Sequence, residues 1–241
     1  YGPPNFVGEG LKIIDEYVGS TDANLDIMKA AKPLWQPLNF ESPMEEIHSF
    51  PSIVEDENYH VMITWLINDK PLERHIEFAW YAIEYLLLGT PDSILRNALE
   101  TSPIGTEIIG GLDTTYQQWT FSVGMKGVYE KHVNALEKLM QDVIKKIVDG
   151  PGFTEDQHKA ALNTVEMRIR DQSTGDLPRG VSLFYRSLKK WNYGVDAKEA
   201  LSFADDWNNF KLWNNAADNV NSKRYFDLIR THIIDNPQRS Q

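Results

Sequence analysis

Between Gln118 and Met125 the chain alternates in size. Trp119, Phe121, Val123 and Met125 are large and apolar, whereas Thr120, Ser122 and Gly124 are small. A strand with this period buries one face in a core and turns the other away from it, so it belongs to a sheet covered on one side. The face of small residues leaves room for something to lie against it. Paired with Thr106–Leu112 across Asp113-Thr114-Thr115, the segment predicts a hairpin.

Two further strands are expected upstream. Val61–Ile67 is a near-continuous apolar run rich in β-formers, the pattern of a central strand buried on both faces. Ile47, Phe50, Ile53 and Val54 suggest a first strand before it. Asn68-Asp69-Lys70-Pro71 carries a cap followed by proline and predicts a helix through Ile76, Ala79, Trp80, Ile83 and Leu87, with Gly89 as a left-handed stop. Thr90-Pro91 repeats the signal for a short helix through Ile94, Leu95 and Leu99.

After the hairpin the pattern is helical. Val133, Leu136, Met140, Val143, Ile144 and Ile147 define a long amphipathic helix that ends before Gly150-Pro151-Gly152. Thr154 and Gln157 form a capping box for the next, with Ala161, Leu162, Val165 and Ile169 inward. A further helix runs through Leu183, Phe184, Leu188 and Trp191, and two more carry Trp207, Phe210 and Trp213, then Phe226, Ile229 and Ile233. The sum is an α+β fold: a two-layer sandwich of a mainly antiparallel sheet with helices packed on one face. Residues 1–41 stand apart as a preamble, with Leu11, Ile13, Ile14, Tyr17 and Val18 at near-helical spacing and a proline-bearing linker behind them. Tyr1-Gly2-Pro3-Pro4 has neither an initiating Met nor a signal sequence, so the start is expected to lie inside a longer or processed product.

Several function classes are disfavoured. There is no cysteine, hence no disulfide scaffold, thiolate metal site or cysteine nucleophile. With 24 Lys+Arg against 35 Asp+Glu the net charge is −11, which argues against a nucleic-acid partner. No apolar run approaches the roughly 18 residues of a membrane span. The six histidines, His48, His60, His75, His132, His158 and His232, include no pair at the spacing of a helical zinc site. No serine sits in a G-x-S-x-G elbow. Trp207, Phe210 and Trp213 recur at helical spacing and are assigned to core packing rather than to base or sugar stacking. In the polar stretch Glu166–Arg186, Arg168, Arg170 and Arg186 are expected mainly in ion pairs. Arg179, between Pro178 and Gly180 on an expected loop, is the best candidate for a functional cation.

Leu87-Leu88-Gly89-Thr90-Pro91, Trp119–Val128, Asn163-Thr164-Val165-Glu166, Arg170, Thr174–Gly180, Ser182-Leu183, Arg186-Ser187, Lys190-Trp191-x-Tyr193 and Asn236-Pro237-x-Arg239 together resemble presequence proteases. These form a branch of the pitrilysin/insulinase-type zinc metallopeptidases. In that family a long chain folds as two halves, each of two similar α+β domains, which close around a chamber that degrades peptides. An HxxEH helix and a distal Glu in the first domain hold zinc.

The resemblance implies that residues 42–241 are the second, non-catalytic domain of the first half, and that residues 1–41 are the tail of the preceding domain plus a linker. It implies no catalytic residue, no metal ligand and no cofactor in this chain, with zinc expected in the parent protein. The implied partners are the parent's remaining domains and peptide substrates. Thr120, Ser122 and Gly124 would line the chamber and Arg179 would brace the adjoining loop. The charge of −11 would draw basic peptides inward. A further strand usually follows the Asn-Pro-x-Arg stretch, whereas here the sequence stops at Gln241. The alternative is a catalytically dead protease-fold subunit that serves binding or complex assembly. The sequence itself names no compartment; the resemblance points to an intracellular setting, mitochondrial or otherwise organellar, or to bacteria.

Overall fold

The computed structural model describes residues 5–18, 35–37, 41–51, 58–171, 177–217, 219 and 222–241. The chain divides into two compact units, Tyr1–Trp35 and Gln36–Gln241. The first contains helix α1 (Asn5–Val18), which ends just before Gly19-Ser20.

The second unit begins its regular structure with β1 (Asn58–Leu66), α2 (Arg74–Leu88) and α3 (Ile94–Glu100). The hairpin β2 (Glu107–Asp113) and β3 (Thr120–Tyr129) follows. Then come α4 (Val133–Asp149), α5 (Glu155–Asp171), α6 (Arg179–Trp191) and α7 (Ala204–Asn214). Helix α8 (Lys223–Ile229) continues as a π-helical turn over Arg230–Ile234, before the short strand β4 (Arg239–Ser240).

The sheet has the order β2-β3-β1-β4, and every neighbouring pair is antiparallel. Ile63 and Trp65 of β1 and Phe121 and Val123 of β3 bury their side chains in one continuous apolar core. Facing them are Trp80, Ile83 and Leu87 of α2, Leu136 and Met140 of α4, and Trp207 and Phe210 of α7. The fold is therefore α+β with helices on one face of the sheet, as the alternation requires. Burial of this many large side chains, at about 1.5–3 kcal/mol each, is the main force holding helices to sheet. At the entry to α5 the capping box forms in both directions: Thr154 N donates to Gln157 Oε1 at 2.9 Å, and Gln157 N donates to Thr154 Oγ1 at 3.2 Å.

Several local expectations are corrected. β1 is buried on one face only: Val61, Ile63 and Trp65 point into the core, while Met62 is 42% exposed on the other side. The apolar run reads as two-sided because Met62 and Leu66 are apolar without being buried. The expected first strand does not form around Ile47 and Phe50, which are exposed. Pairing occurs instead at Met44, which bridges Ser240 in parallel; Ile53 and Val54 lie outside the described residues.

Asn68 does not cap a helix. Its Nδ2 donates to the carbonyls of Lys70 and Gln117, its Oδ1 accepts from Trp119 N at 2.7 Å, and α2 starts six residues later. Likewise α3 begins after Ser93 rather than after Thr90. Gly89 is right-handed at φ −69°; a Cβ there would strike Tyr85, so glycine serves clearance rather than a left-handed stop. Helix α6 buries none of its residues, and Phe184 and Trp191 are exposed.

His232, on the π-helical turn, packs edge-on against Trp80. Burial holds its imidazole below the ordinary range, against the backbone bond to Ile67 and the charge of Asp69. The folded state thus binds this proton more weakly than the unfolded chain, whose histidine titrates near pH ~6.5. The stability tied to His232 is complete above that pH and is lost as the pH falls through the folded value. Urea midpoints of the wild type should therefore drop more steeply between about pH 7 and pH 5 than those of His232→Phe. Parallel slopes would show that His232 protonates freely in the fold.

Candidate functional site

On the side of the sheet turned away from the helices, Thr120 and Ser122 of β3 lie beside Thr64 and Met62 of β1, by the registers Met62↔Gly124, Thr64↔Ser122 and Leu66↔Thr120. The hydroxyls of Ser122 and Thr64 are hydrogen-bonded at 2.9 Å. Three of the expected small residues thus share one strand face, but they are not equivalent. Thr120 and Ser122 are half-buried, whereas Gly124 is fully buried. A Cβ on Gly124 would fall 2.0 Å from the Val61 carbonyl oxygen, so the space beside this glycine is taken by β1 itself.

Arg179 is the first residue of α6, not a loop residue, and its side chain is exposed. Residues 172–176, just before it, lie outside the described residues. Of the other arginines, Arg170 pairs with Glu166 one helical turn away at 2.7 Å. Arg168 and Arg186 instead reach a cavity that no sequence pattern signals.

That cavity, of about 340 Å³, is framed by α2, α5, α6 and the β2–β3 connection. Residues Arg74, Glu77, Phe78 and Tyr81 recur three or four apart on α2, so they share one face of that helix. Glu77, only 3% exposed, is gripped by Arg74 and by Lys190 of α6. Arg74 also donates to Asp206 of α7 at 3.0 Å. Burial alone would lower the Arg74 guanidinium; the two carboxylates outweigh it and hold the group above its ordinary value. Tyr81 is pushed up by burial and by Glu77. The next acid along, Glu84, accepts from Leu112 N and ties α2 to β2. The only trace of this polar face in the sequence is the i, i+3, i+7 spacing of Arg74, Glu77 and Tyr81, on a helix whose apolar stripe dominates the pattern.

The histidines make no donor set. His158 is held at both nitrogens, by Asn214 Oδ1 and Ser222 Oγ, each at 3.1 Å. His75 lies by Glu73 and the Trp213 ring, His48 by Glu46, and His60 by Phe50. Among the described residues no group of three or more His, Asp or Glu converges to hold a metal ion. No helix among the described residues is long and apolar enough to cross a membrane.

A one-sided antiparallel sheet backed by helices defines an α+β domain. Comparison with known proteins places it more closely. Residues 7–165 match the model of the Peptidase M16 inactive domain, and the chain belongs to that family. It is 30% identical over 233 residues to presequence protease 1, chloroplastic/mitochondrial, of Arabidopsis thaliana, covering 95% of this chain and 21% of that protein. Protein HypA of Clostridium perfringens is 23% identical over 90% of this chain and 22% of its own length. The chain thus spans about a fifth of these curated relatives.

Among solved structures, a protease from Helicobacter pylori superposes with a TM-score of 0.61 at 12% identity, over 86% of this chain and 45% of that one. A peptidase M16 inactive domain from Pseudomonas fluorescens gives 0.50 at 13% identity, over 83% and 41%. Both likenesses concern the fold.

Proposed function

We propose that this chain is the non-catalytic second domain of the first half of a zinc metallo-oligopeptidase, with residues 42–241 as the domain proper and 1–41 as the tail of its neighbour plus a linker. The observation that carries the reading is the sheet face opposite the helices. It presents Met62, Thr64, Thr120 and Ser122 with, among the described residues of the second unit, no helix packed over them, a surface suited to wall a space through which peptides pass. Gly124 contributes by letting β1 and β3 approach closely. Arg179, exposed at the start of α6, is assigned to bracing the loop beside this face. Hydrolysis belongs to the parent's other domains, where a metal-activated water would supply the nucleophile. An organellar setting is supported by the chloroplastic/mitochondrial naming of the Arabidopsis thaliana relative.

Two measurements test this. The 241-residue chain, dialysed against zinc and analysed for metal, is expected to retain none stoichiometrically and to cleave no peptide. One tightly held zinc per chain, or turnover by the purified domain, would overturn the proposal. In the full-length parent, Ser122→Arg should lower peptide kcat/KM while leaving the unfolding midpoint near that of the wild type, because the added bulk enters the chamber rather than the core. Unchanged turnover would remove Ser122 from the wall. A degenerate zinc motif upstream would favour the assembly-subunit alternative instead.

A further inference from the structure

The cavity framed by α2, α5 and α6 is charged against the trend of the molecule. In a chain of net charge −11 it gathers five cations, Arg74, Arg168, Arg186, Lys189 and Lys190, around two carboxylates, Glu77 and Glu84. Those carboxylates are already committed: Glu77 to Arg74 and Lys190, Glu84 to a backbone amide. Three cations remain. Among the described residues Lys189 Nζ donates to Thr114 Oγ1 at 3.2 Å and feels the Asp113 carboxylate without forming an ion pair with it, and neither Arg168 nor Arg186 forms an ion pair.

We propose that this cavity is a binding site for a small oxyanion of two or more charges, held by Arg186, Lys189 and Arg168. Arg186 and Lys189 are half-buried, while Arg168 is exposed, and half-burying like charges side by side is costly unless a counter-charge joins them. The cost is visible: burial first, and Arg74 next, depress the Arg186 guanidinium, while burial and then Lys190 depress the Lys189 ammonium. A guanidinium fork matches the paired oxygens of phosphates and carboxylates and not a spherical halide. At about 340 Å³ the space is near the lower end for small-molecule pockets, which fits a compact ligand and not an extended peptide. The site lies on the helical side of the sheet. It is thus independent of the wall proposed for the opposite face, and either reading survives the failure of the other.

The test titrates the 241-residue chain with pyrophosphate, with citrate and with sodium chloride at matched ionic strength, following the thermal midpoint and calorimetric affinity. Pyrophosphate or citrate is expected to raise the midpoint beyond the chloride control, and which of the two does so distinguishes a phosphate-bearing from a polycarboxylate ligand. Arg186→Gln and Lys189→Gln should each weaken binding about tenfold. Lys138→Gln, on the exposed side of α4, should leave it unchanged. If neither anion exceeds chloride, or if a folded Arg186→Gln chain binds as tightly as the wild type, the proposal is overturned.

Discussion

Gly124→Ala is expected to destabilise the domain by at least about 3 kcal/mol, beyond the usual 1–3 for overpacking a core. The added Cβ would sit 2.0 Å from Val61 O and 2.6 Å from Met62 Cα. Both are backbone atoms, so no side-chain rotation relieves the contact. β1 must move as a unit or surrender its pairing with β3, and with it the burial of Ile63 and Trp65. Ser122→Ala, two residues away on the same strand, is the matched comparison. It removes only the hydrogen bond to Thr64 at a half-buried position, so about 1 kcal/mol or less is expected. Urea denaturation of the two variants separates the cases. Comparable losses would mean that the strands are not as closely apposed as described.

Glu77→Ala is the second large effect, expected to cost about 3 kcal/mol and to lower the unfolding temperature by about 6–12 °C. The reason is asymmetry. Removing a buried carboxylate leaves its cations in low dielectric, whereas removing the whole pair leaves little behind. Arg74 keeps Asp206 as a partner, so the exposed loss falls mainly on Lys190. Adding Lys190→Met to Glu77→Ala should therefore recover part of the stability, a coupling that a double-mutant cycle reads directly. A Glu77→Ala cost under about 1 kcal/mol would show that water already solvates the cluster.

Patterns that depend on neighbours in sequence are legible from the residues alone. The β3 alternation, the Thr154–Gln157 box and the stripes of α4 and α7 all come from side chains within a few residues of each other, and each is found where the pattern puts it. What fails are features set by distant packing. Asn68 looks like a cap because its immediate successors suit a helix; its true partners are Gln117 and Trp119, about fifty residues away in the chain. The cationic cavity assembles Arg74, Arg168 and Arg186 from three helices, and no local spacing announces it. Helix α6 carries a strong apolar stripe, yet periodicity states only that a face is apolar, not that anything covers it.

The segment around Met44 joins β4 by three backbone hydrogen bonds: Met44 N to Arg239 O at 2.9 Å, Gln241 N to Met44 O at 2.9 Å, and Glu46 N to Gln241 O at 2.8 Å. The two stretches run in the same direction, so the chain leading into Met44 and the end of β4 lie at opposite ends of that ribbon. Tension applied through the flanking chain would load those bonds together in shear instead of peeling them one by one. Because β4 is itself laced to Thr64 and Trp65, the strain would pass straight to the middle of β1. Any pull on the ribbon would thus reach the core through Trp65, whose side chain is buried there.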